Sequence, residues 1–143
     1  MKWQEQWKQV SKCNNPIIEL LNNLDGENKS LLDLGCGKGV LSELAIERGF
    51  KVTSVDSGNT PYKKNIKLDA KRLEGYWDYV IAAGFPPGQL PKKVKCKKFI
   101  YTTLRNSFQE HYEGDLYIFN NIYIRTNIIP LKNWKKINNP YLY

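Results

Sequence analysis

Apolar positions at the start of the chain follow first a helical and then a strand pattern. Residues 14–25 carry isoleucines and leucines at three- and four-residue spacing, with Asn15 placed to cap a helix and Pro16 in its first turn. Residues 31–35 form a short and almost continuous apolar run, as buried parallel strands do. The pattern therefore predicts an amphipathic helix followed by an inner strand.

The helical spacing returns in residues 39–49, where Val40, Leu41, Leu44 and Ala45 would share one apolar face. Beyond this second helix, the apolar runs become short and are separated by polar or proline-containing segments. A helical turn is expected in residues 70–77, and the tail from residue 130 is expected to be irregular. Strands are predicted at residues 50–56, 66–68, 77–84 and 97–104, and as a hairpin that turns at Asn120 and Asn121.

This order of elements predicts an α/β fold. We expect the first five strands to form a mostly parallel sheet and the hairpin to add a C-terminal antiparallel edge. The 143 residues are predicted to form a single compact domain. Because crossovers between parallel strands are right-handed, ligand-binding loops should lie at the carboxyl ends of the strands.

The composition of the chain argues against membrane, secreted, disulfide-bonded and metal-binding proteins. The chain lacks an apolar stretch of the length that a membrane span needs, and its first residues lack the apolar core of a signal peptide. Cys13, Cys36 and Cys96 are far apart and odd in number, which predicts free thiols. With only one histidine, the sequence also predicts no metal site. We therefore expect a cytoplasmic protein that makes no membrane contact.

The net charge of +8 is concentrated in the last third of the chain. Residues 1–90 carry 12 basic and 11 acidic side chains, whereas residues 91–143 carry 10 and 3. Basic residues mixed with aromatic ones after Leu90 suit a polyanion with stackable bases, so nucleic acid is a candidate partner. The alternative is a basic protein whose aromatic side chains fill its strands. The five lysines of residues 92–98, expected between strands four and five, would line a phosphate path or form a solvated loop.

A glycine-rich turn follows the first strand. Gly35, Gly37 and Gly39 allow a tight turn and close approach of a ligand, and the helix that follows offers free N–H groups. Asp33 lies inside the apolar strand, where a carboxylate needs a partner or a cationic ligand. Asp56 ends the second strand, the position at which an acid binds ribose hydroxyls in nucleotide-binding units. These residues predict a nucleotide site.

Residues 31–56 resemble motifs I and II of the class I S-adenosylmethionine-dependent methyltransferases. Residues 67–70 are similar to the third motif of that family, and residues 77–87 to its fourth-strand motif. The resemblance covers about residues 15–105. It implies a Rossmann-like methyltransferase fold, a three-layer α/β sandwich, that binds S-adenosylmethionine and transfers its methyl group.

The resemblance also assigns cofactor-binding residues. Asp56 would bind the ribose and Asp69 the adenine amino group, although Asp69 is alternatively an exposed loop acid. A dinucleotide-binding turn is the alternative for residues 31–56, but the third glycine comes one residue early for it. The methionine part would be held by Asp33, Gly35, Cys36, Gly37 and Gly39, and further cofactor contacts are expected from Ser57, Ala70 and Gly84.

The residues that act on the methyl acceptor are not identified by the sequence. Residues 84–88 resemble the reacting loop of amino-methylating nucleic-acid enzymes, but Phe85 cannot accept a hydrogen bond from an amine and Gly88 cannot stack on a base. Phe85, Pro86 and His111 are the candidates for a catalytic role. The favoured activity is methyl transfer to nucleic acid, specifically RNA. The alternatives are transfer to a small molecule or protein, and a non-catalytic cofactor-binding subunit that works with a protein partner.

Overall fold

One eight-stranded sheet organises the chain. The structure is a computed structural model that describes residues 11–85, 88–104 and 113–137. Its elements, in chain order, are α1 (Asn14–Asn22), β1 (Ser30–Leu34), α2 (Val40–Glu47), β2 (Lys51–Asp56), β3 (Asn65–Lys67), a 3₁₀ turn (Ala70–Arg72), β4 (Glu74–Ala83), β5 (Lys93–Thr103), β6 (Asp115–Phe119), β7 (Ile122–Thr126) and β8 (Lys135–Ile137).

The strands lie in the order β3-β2-β1-β4-β5-β7-β6-β8. β1 pairs in parallel with both β2 and β4, and β3 and β5 extend the parallel part on either side. β7 pairs antiparallel with β5, β6 with β7, and β8 with β6. The predicted α/β fold, parallel first and antiparallel at its C-terminal end, is therefore confirmed.

The strand order creates a switch point beside β1. The chain runs from β1 outward to β2 and β3 and then returns to β4 on the other side of β1. Connections that leave two neighbouring strands in opposite directions open a crevice at the carboxyl ends of those strands. The loops that follow Leu34 and Ala83 lie at this crevice.

Both α-helices pack on one face of the sheet. Because α1 and α2 are amphipathic, each buries a stripe of side chains against the strands and leaves polar residues in solvent. The resulting core contains residues of α1 (Ile17, Leu20, Leu21), of α2 (Leu41, Ala45) and of the strands (Leu31, Ile81, Ile100, Ile124).

The other face is covered by shorter segments. Its buried strand residues include Leu32, Val55, Val80 and Phe99. Among the described residues, the layer over them consists of the 3₁₀ turn and of loop side chains such as Leu68, Leu73, Phe85 and Leu90. The third layer of the expected sandwich therefore contains one short helical turn in the described ranges instead of α-helices.

Several element boundaries differ from those expected. β4 begins at Glu74, and β5 begins at Lys93 and includes most of the lysine run that was expected to be a loop. Exposed Lys95 and Lys97 alternate there with partly buried Cys96. The tail was expected to be irregular, yet it supplies β8.

The two α-helices also differ in detail from the prediction. α1 begins one residue after Cys13 and has no side-chain cap, so Asn15 does not cap it. In α2, Val40 was predicted to lie on the apolar face but is 53% exposed, whereas Ser42, which was not assigned to that face, is buried. No helix within the described ranges is long and apolar enough to cross a membrane.

Candidate functional site

The glycine turn links β1 to α2. Gly35, Gly37 and Gly39 all have positive φ, and the N–H groups of Gly35 and Cys36 donate to the carbonyl of Val55 at distances of 2.7 and 3.2 Å. These bonds join the turn to the end of β2. The turn therefore lies beside Asp56, the next residue of that strand.

Gly39 caps α2 and lies under the ring of Tyr62. Its φ is 84°, and a Cβ atom added to it would lie 2.3 Å from the Cδ1 of Tyr62. The Tyr62 hydroxyl donates to Glu43 of α2 at 3.1 Å, which fixes the ring in this position. Gly39 lines neither of the two cavities described below, so its position indicates a role in the turn and the helix cap.

We expect Gly39→Ala to lower the free energy of unfolding by about 3 kcal/mol, since left-handed backbone costs an L-residue about 1–2 kcal/mol and the clash with Tyr62 adds to it. Gly37→Ala is the matched control, because Gly37 has a φ of 53° with no atom within 4 Å of an added Cβ. Urea denaturation of both variants measures the difference. Equal losses would contradict the placement of Tyr62 over Gly39.

Two cavities open at the switch point and meet at Gly35 and Ala83. The larger, of about 340 Å³, is lined by Asp56, Asp69 and Phe85 among others. The smaller, of about 140 Å³, is lined by Asp33, Cys36 and Gly37 and by residues of α1 and α2. Of the predicted cofactor residues, the larger cavity holds Gly35, Asp56, Ser57, Asp69, Ala70 and Gly84, and the smaller holds Asp33, Gly35, Cys36 and Gly37.

Asp56 is held by backbone N–H groups on both of its carboxylate oxygens. Gly37 donates to Oδ2 at 3.0 Å and Gly58 to Oδ1 at 2.8 Å. A carboxylate offers about four acceptor positions, so each oxygen retains capacity for a ligand hydroxyl. The two bonds fix the carboxylate at the edge of the larger cavity.

Asp69 caps the 3₁₀ turn, and its Oδ1 accepts from the N–H of Lys71 at 3.0 Å. Its side chain is exposed but lines the larger cavity beside Leu68 and buried Ala70. A polar acceptor next to apolar walls suits a flat heterocycle that carries an amino group.

Asp33 is 1% exposed and lines the smaller cavity. Burial raises the pKa of its carboxyl to about 7, and the charge of nearby Asp56 adds to this, while the hydrogen bond from Ser42 opposes it. The Ser42 hydroxyl lies 2.6 Å from Asp33 Oδ2 and 2.7 Å from the hydroxyl of Ser54. The site therefore holds a carboxyl that a cationic ligand would ionise.

Cys36 is a neutral thiol. Burial raises its pKa to about 12, with further contributions from the charges of Asp33 and Asp56. Its Sγ donates to Asn65 Oδ1 at 3.3 Å. A protonated and 8% exposed thiol is a poor nucleophile, so Cys36 serves the site as a wall.

The described residues of the loop after β4 line the larger cavity. The N–H of Gly84 donates to the carbonyl of Thr102 at 2.8 Å, and the Tyr101 hydroxyl donates to the carbonyl of Phe85. A Cβ on Gly35 would lie 3.2 Å from the Phe85 ring, so this ring packs beside the glycine turn. Pro86 and His111, the other two candidates for a catalytic role, lie outside the described residues.

Sequence reasoning missed several cavity-lining residues. Asn14 and Val40 line the smaller cavity, and Leu68 and Gln89 line the larger. Their only sequence signal is nearness to a motif, as Leu68 immediately precedes Asp69. Within the described ranges, no three His, Cys, Asp or Glu side chains are grouped as a metal site would need.

Comparison with known proteins gives partial matches. No protein-family model matches the chain. Over 100 residues, 64% of this chain and 31% of the relative, it is 32% identical to the ribosomal protein L11 methyltransferase of Helicobacter hepaticus. Over 88 residues, 59% of this chain and 32% of the relative, it is 35% identical to the ubiquinone biosynthesis O-methyltransferase of Pelagibacter ubique. The match thus spans about a third of the length of these curated relatives.

A solved structure shares the fold. The 1,6-didemethyltoxoflavin-N1-methyltransferase of Burkholderia thailandensis, determined with 1,6-didemethyltoxoflavin and S-adenosylhomocysteine bound, aligns with a TM-score of 0.55. The alignment covers 86% of this chain and 64% of that chain at 17% sequence identity. At this identity the likeness concerns the arrangement of strands and helices.

Proposed function

Because this chain has the Rossmann-like fold of the class I S-adenosylmethionine-dependent methyltransferases and belongs to that family, we propose that it binds S-adenosylmethionine and transfers its methyl group. One observation carries the proposal. Asp56, Asp69 and the glycine turn, which are far apart in the sequence, line two adjacent cavities at the switch point of the sheet that share Gly35 and Ala83.

The residues present fit this cofactor. The larger cavity, of about 340 Å³, has the size of a small-ligand site and combines apolar walls with two carboxylates. Asp56 has acceptor capacity for the two ribose hydroxyls, and Asp69 for the adenine amino group. Asp33 and Asn14 line the smaller cavity, and we propose that this cavity holds the amino-acid part of the cofactor.

When bound, the cofactor supplies a methyl group already activated by its sulfonium centre, so the protein has to position the acceptor and exclude water. Phe85 lines the larger cavity beside Gly35, and its carbonyl accepts a hydrogen bond from the Tyr101 hydroxyl. We assign Phe85 a positioning role, since its ring carries no group that accepts a proton. An aromatic ring also tolerates a nearby cation.

Nucleic acid, specifically RNA, is the acceptor that we favour. The support is the charge of the chain after Leu90, where basic residues outnumber acidic ones by 10 to 3. The names of the two relatives differ: one names a methyltransferase of a ribosomal protein, and the other names an O-methyltransferase of ubiquinone biosynthesis. Transfer to a small molecule or protein is therefore the second proposal, and a non-catalytic subunit the third.

We expect the purified chain to transfer labelled methyl groups from S-adenosylmethionine to total RNA. The rate at subsaturating RNA should fall steeply between 50 and 200 mM salt, because displaced counterions dominate the affinity for a polyanion. Scintillation counting of RNA, DNA, protein and metabolite pools, each with and without co-purifying partners, measures the acceptor.

Each outcome of this assay has a distinct meaning. Label in the metabolite or protein pool, with little dependence on salt, would support the second proposal and overturn the RNA acceptor. Cofactor binding in calorimetry without transfer to any pool would support the non-catalytic subunit. If no heat of binding appears at high S-adenosylmethionine concentration, the central proposal is wrong.

A further inference from the structure

A third cavity, outside the cofactor site, is lined mainly by cations. It has a volume of about 560 Å³ and lies between the 3₁₀ turn and the start of β5. Lys71 and Arg72 contribute from the turn, and Lys92 and Lys93 from the β5 side. The single carboxylate among its lining residues is Glu74, so the lining is strongly positive.

These cations are available to a ligand. All four side chains are exposed. None of them takes part in the ion pairs found among the described residues, which join Lys29 to Glu27, Lys64 to Glu43, and Lys136 to Asp115. Four like charges around one cavity repel one another, and an anion in the cavity would relieve that repulsion.

The cationic cavity adjoins the cofactor cavity along two segments. In the 3₁₀ turn, Ala70 lines the cofactor cavity and the next residue, Lys71, lines the cationic cavity. In the β4–β5 connection, Gln89 lines the cofactor cavity and its neighbour Gly88 lines the cationic cavity. The 3₁₀ turn and the β4–β5 connection therefore form walls shared by the two cavities.

We propose that this cavity binds backbone phosphates of a nucleic-acid strand and so holds the methyl acceptor beside the cofactor. Arginine and lysine are the side chains that neutralise nucleic-acid phosphates, and phosphate contacts set the position of a strand without reading its sequence. The identification of the strand as the acceptor rests on the proposed function. The binding of a polyanionic strand does not.

The test compares two double variants of the full chain. The cavity variant, Lys92→Gln with Lys93→Gln, removes two cations that line the cavity. The control variant, Lys95→Gln with Lys97→Gln, removes two exposed lysines of β5 that do not line it. Fluorescence anisotropy with a labelled 12-nucleotide single-stranded RNA measures the affinity between 50 and 200 mM salt. Calorimetry with S-adenosylmethionine on the same samples measures the cofactor site separately.

We expect the cavity variant to bind this RNA about tenfold more weakly, with a salt slope reduced by about 1.4, since each phosphate contact to a single strand contributes about 0.7. The control variant should lose less than about twofold, and both should keep the cofactor affinity of the unmodified chain. Arg72→Gln, on the opposite wall, should weaken RNA binding in the same direction.

Equal weakening by the two double variants would overturn the proposal, because it would indicate attraction by overall charge alone. Unchanged RNA affinity in the cavity variant would overturn it as well. RNA binding that depends on the cavity, together with no cofactor binding, would leave the phosphate site standing and refute the proposed methyltransferase function. A phosphoprotein that competes better than the RNA would replace nucleic acid as the ligand.

Discussion

Asp56→Ala should weaken S-adenosylmethionine binding by at least about 100-fold. Two charge-assisted hydrogen bonds to ribose hydroxyls contribute about 1.5 kcal/mol or more each, and 1.4 kcal/mol corresponds to a tenfold change in affinity. The same substitution removes the acceptors for the N–H groups of Gly37 and Gly58, which loosens the turn that borders both cavities. Calorimetric titration of the unmodified and variant chains measures the change.

Asp115→Ala is the matched control for this experiment. Asp115 is an exposed carboxylate in β6, near the edge of the sheet opposite to β3, and pairs with Lys136 of β8. Asp115→Ala changes the net charge by the same amount as Asp56→Ala, but it should leave the cofactor affinity unchanged. Thermal melts of both variants separate unfolding from lost binding. Equal weakening by Asp56→Ala and Asp115→Ala would show that the ribose assignment is wrong.

The residues that line the two cavities at the switch point could be grouped from the sequence because few residue types meet the backbone requirements of the glycine turn. A turn with glycines at alternate positions, placed between an apolar run and a helix, has few interpretations. The parallel order of β1, β2 and β4 then brings the segments after each strand to one edge of the sheet. For this reason residues as distant in sequence as Asp33 and Gly84 could be assigned to one region.

The helix face of α2 shows where apolar periodicity misleads. Val40 was predicted to be buried, but it is exposed at the start of the helix and lines the smaller cavity. Ser42 takes the buried position because its hydroxyl donates to Asp33 and contacts Ser54. A buried carboxyl requires such a partner, and periodicity alone does not record that requirement.

The limits of β5 were missed for a related reason. Only one face of its first half is buried, so lysines occupy the alternate positions and the segment has the composition of a loop. Among the described strands, β8 pairs with β6 alone at the edge of the sheet, where few apolar contacts are needed. Non-local pairing determines both strands, and single-sequence patterns carry little information about it. The cationic cavity combines Lys92 and Lys93 with Lys71 and Arg72 of the 3₁₀ turn, and the pairing of β4 with β5 brings these segments together. The sequence therefore indicated the lysine run as a candidate phosphate path, but not the residues of the turn that face it.

Asp33→Asn should stabilise the cofactor-free protein above about pH 7 and remove most of its dependence on pH between about 4 and 7. Burial raises the pKa of the Asp33 carboxyl from 3.8 to about 7, so in this window the folded state keeps a proton that the unfolded state has released. Stability contributed by that proton is fully present below about pH 4 and is lost as the pH rises through about 7. The loss is on the order of 2–4 kcal/mol, and denaturation at several pH values measures it.

His111→Gln is the control, because an unperturbed histidine titrates in the same window and His111 is the sole histidine of the chain. This variant should keep the decline in stability that Asp33 causes. Saturating S-adenosylmethionine should reduce the decline in the unmodified protein, since a cationic ligand in the smaller cavity favours the ionised carboxylate. If Asp33→Asn leaves the pH profile intact, or if His111→Gln abolishes it, Asp33 is not the group that titrates.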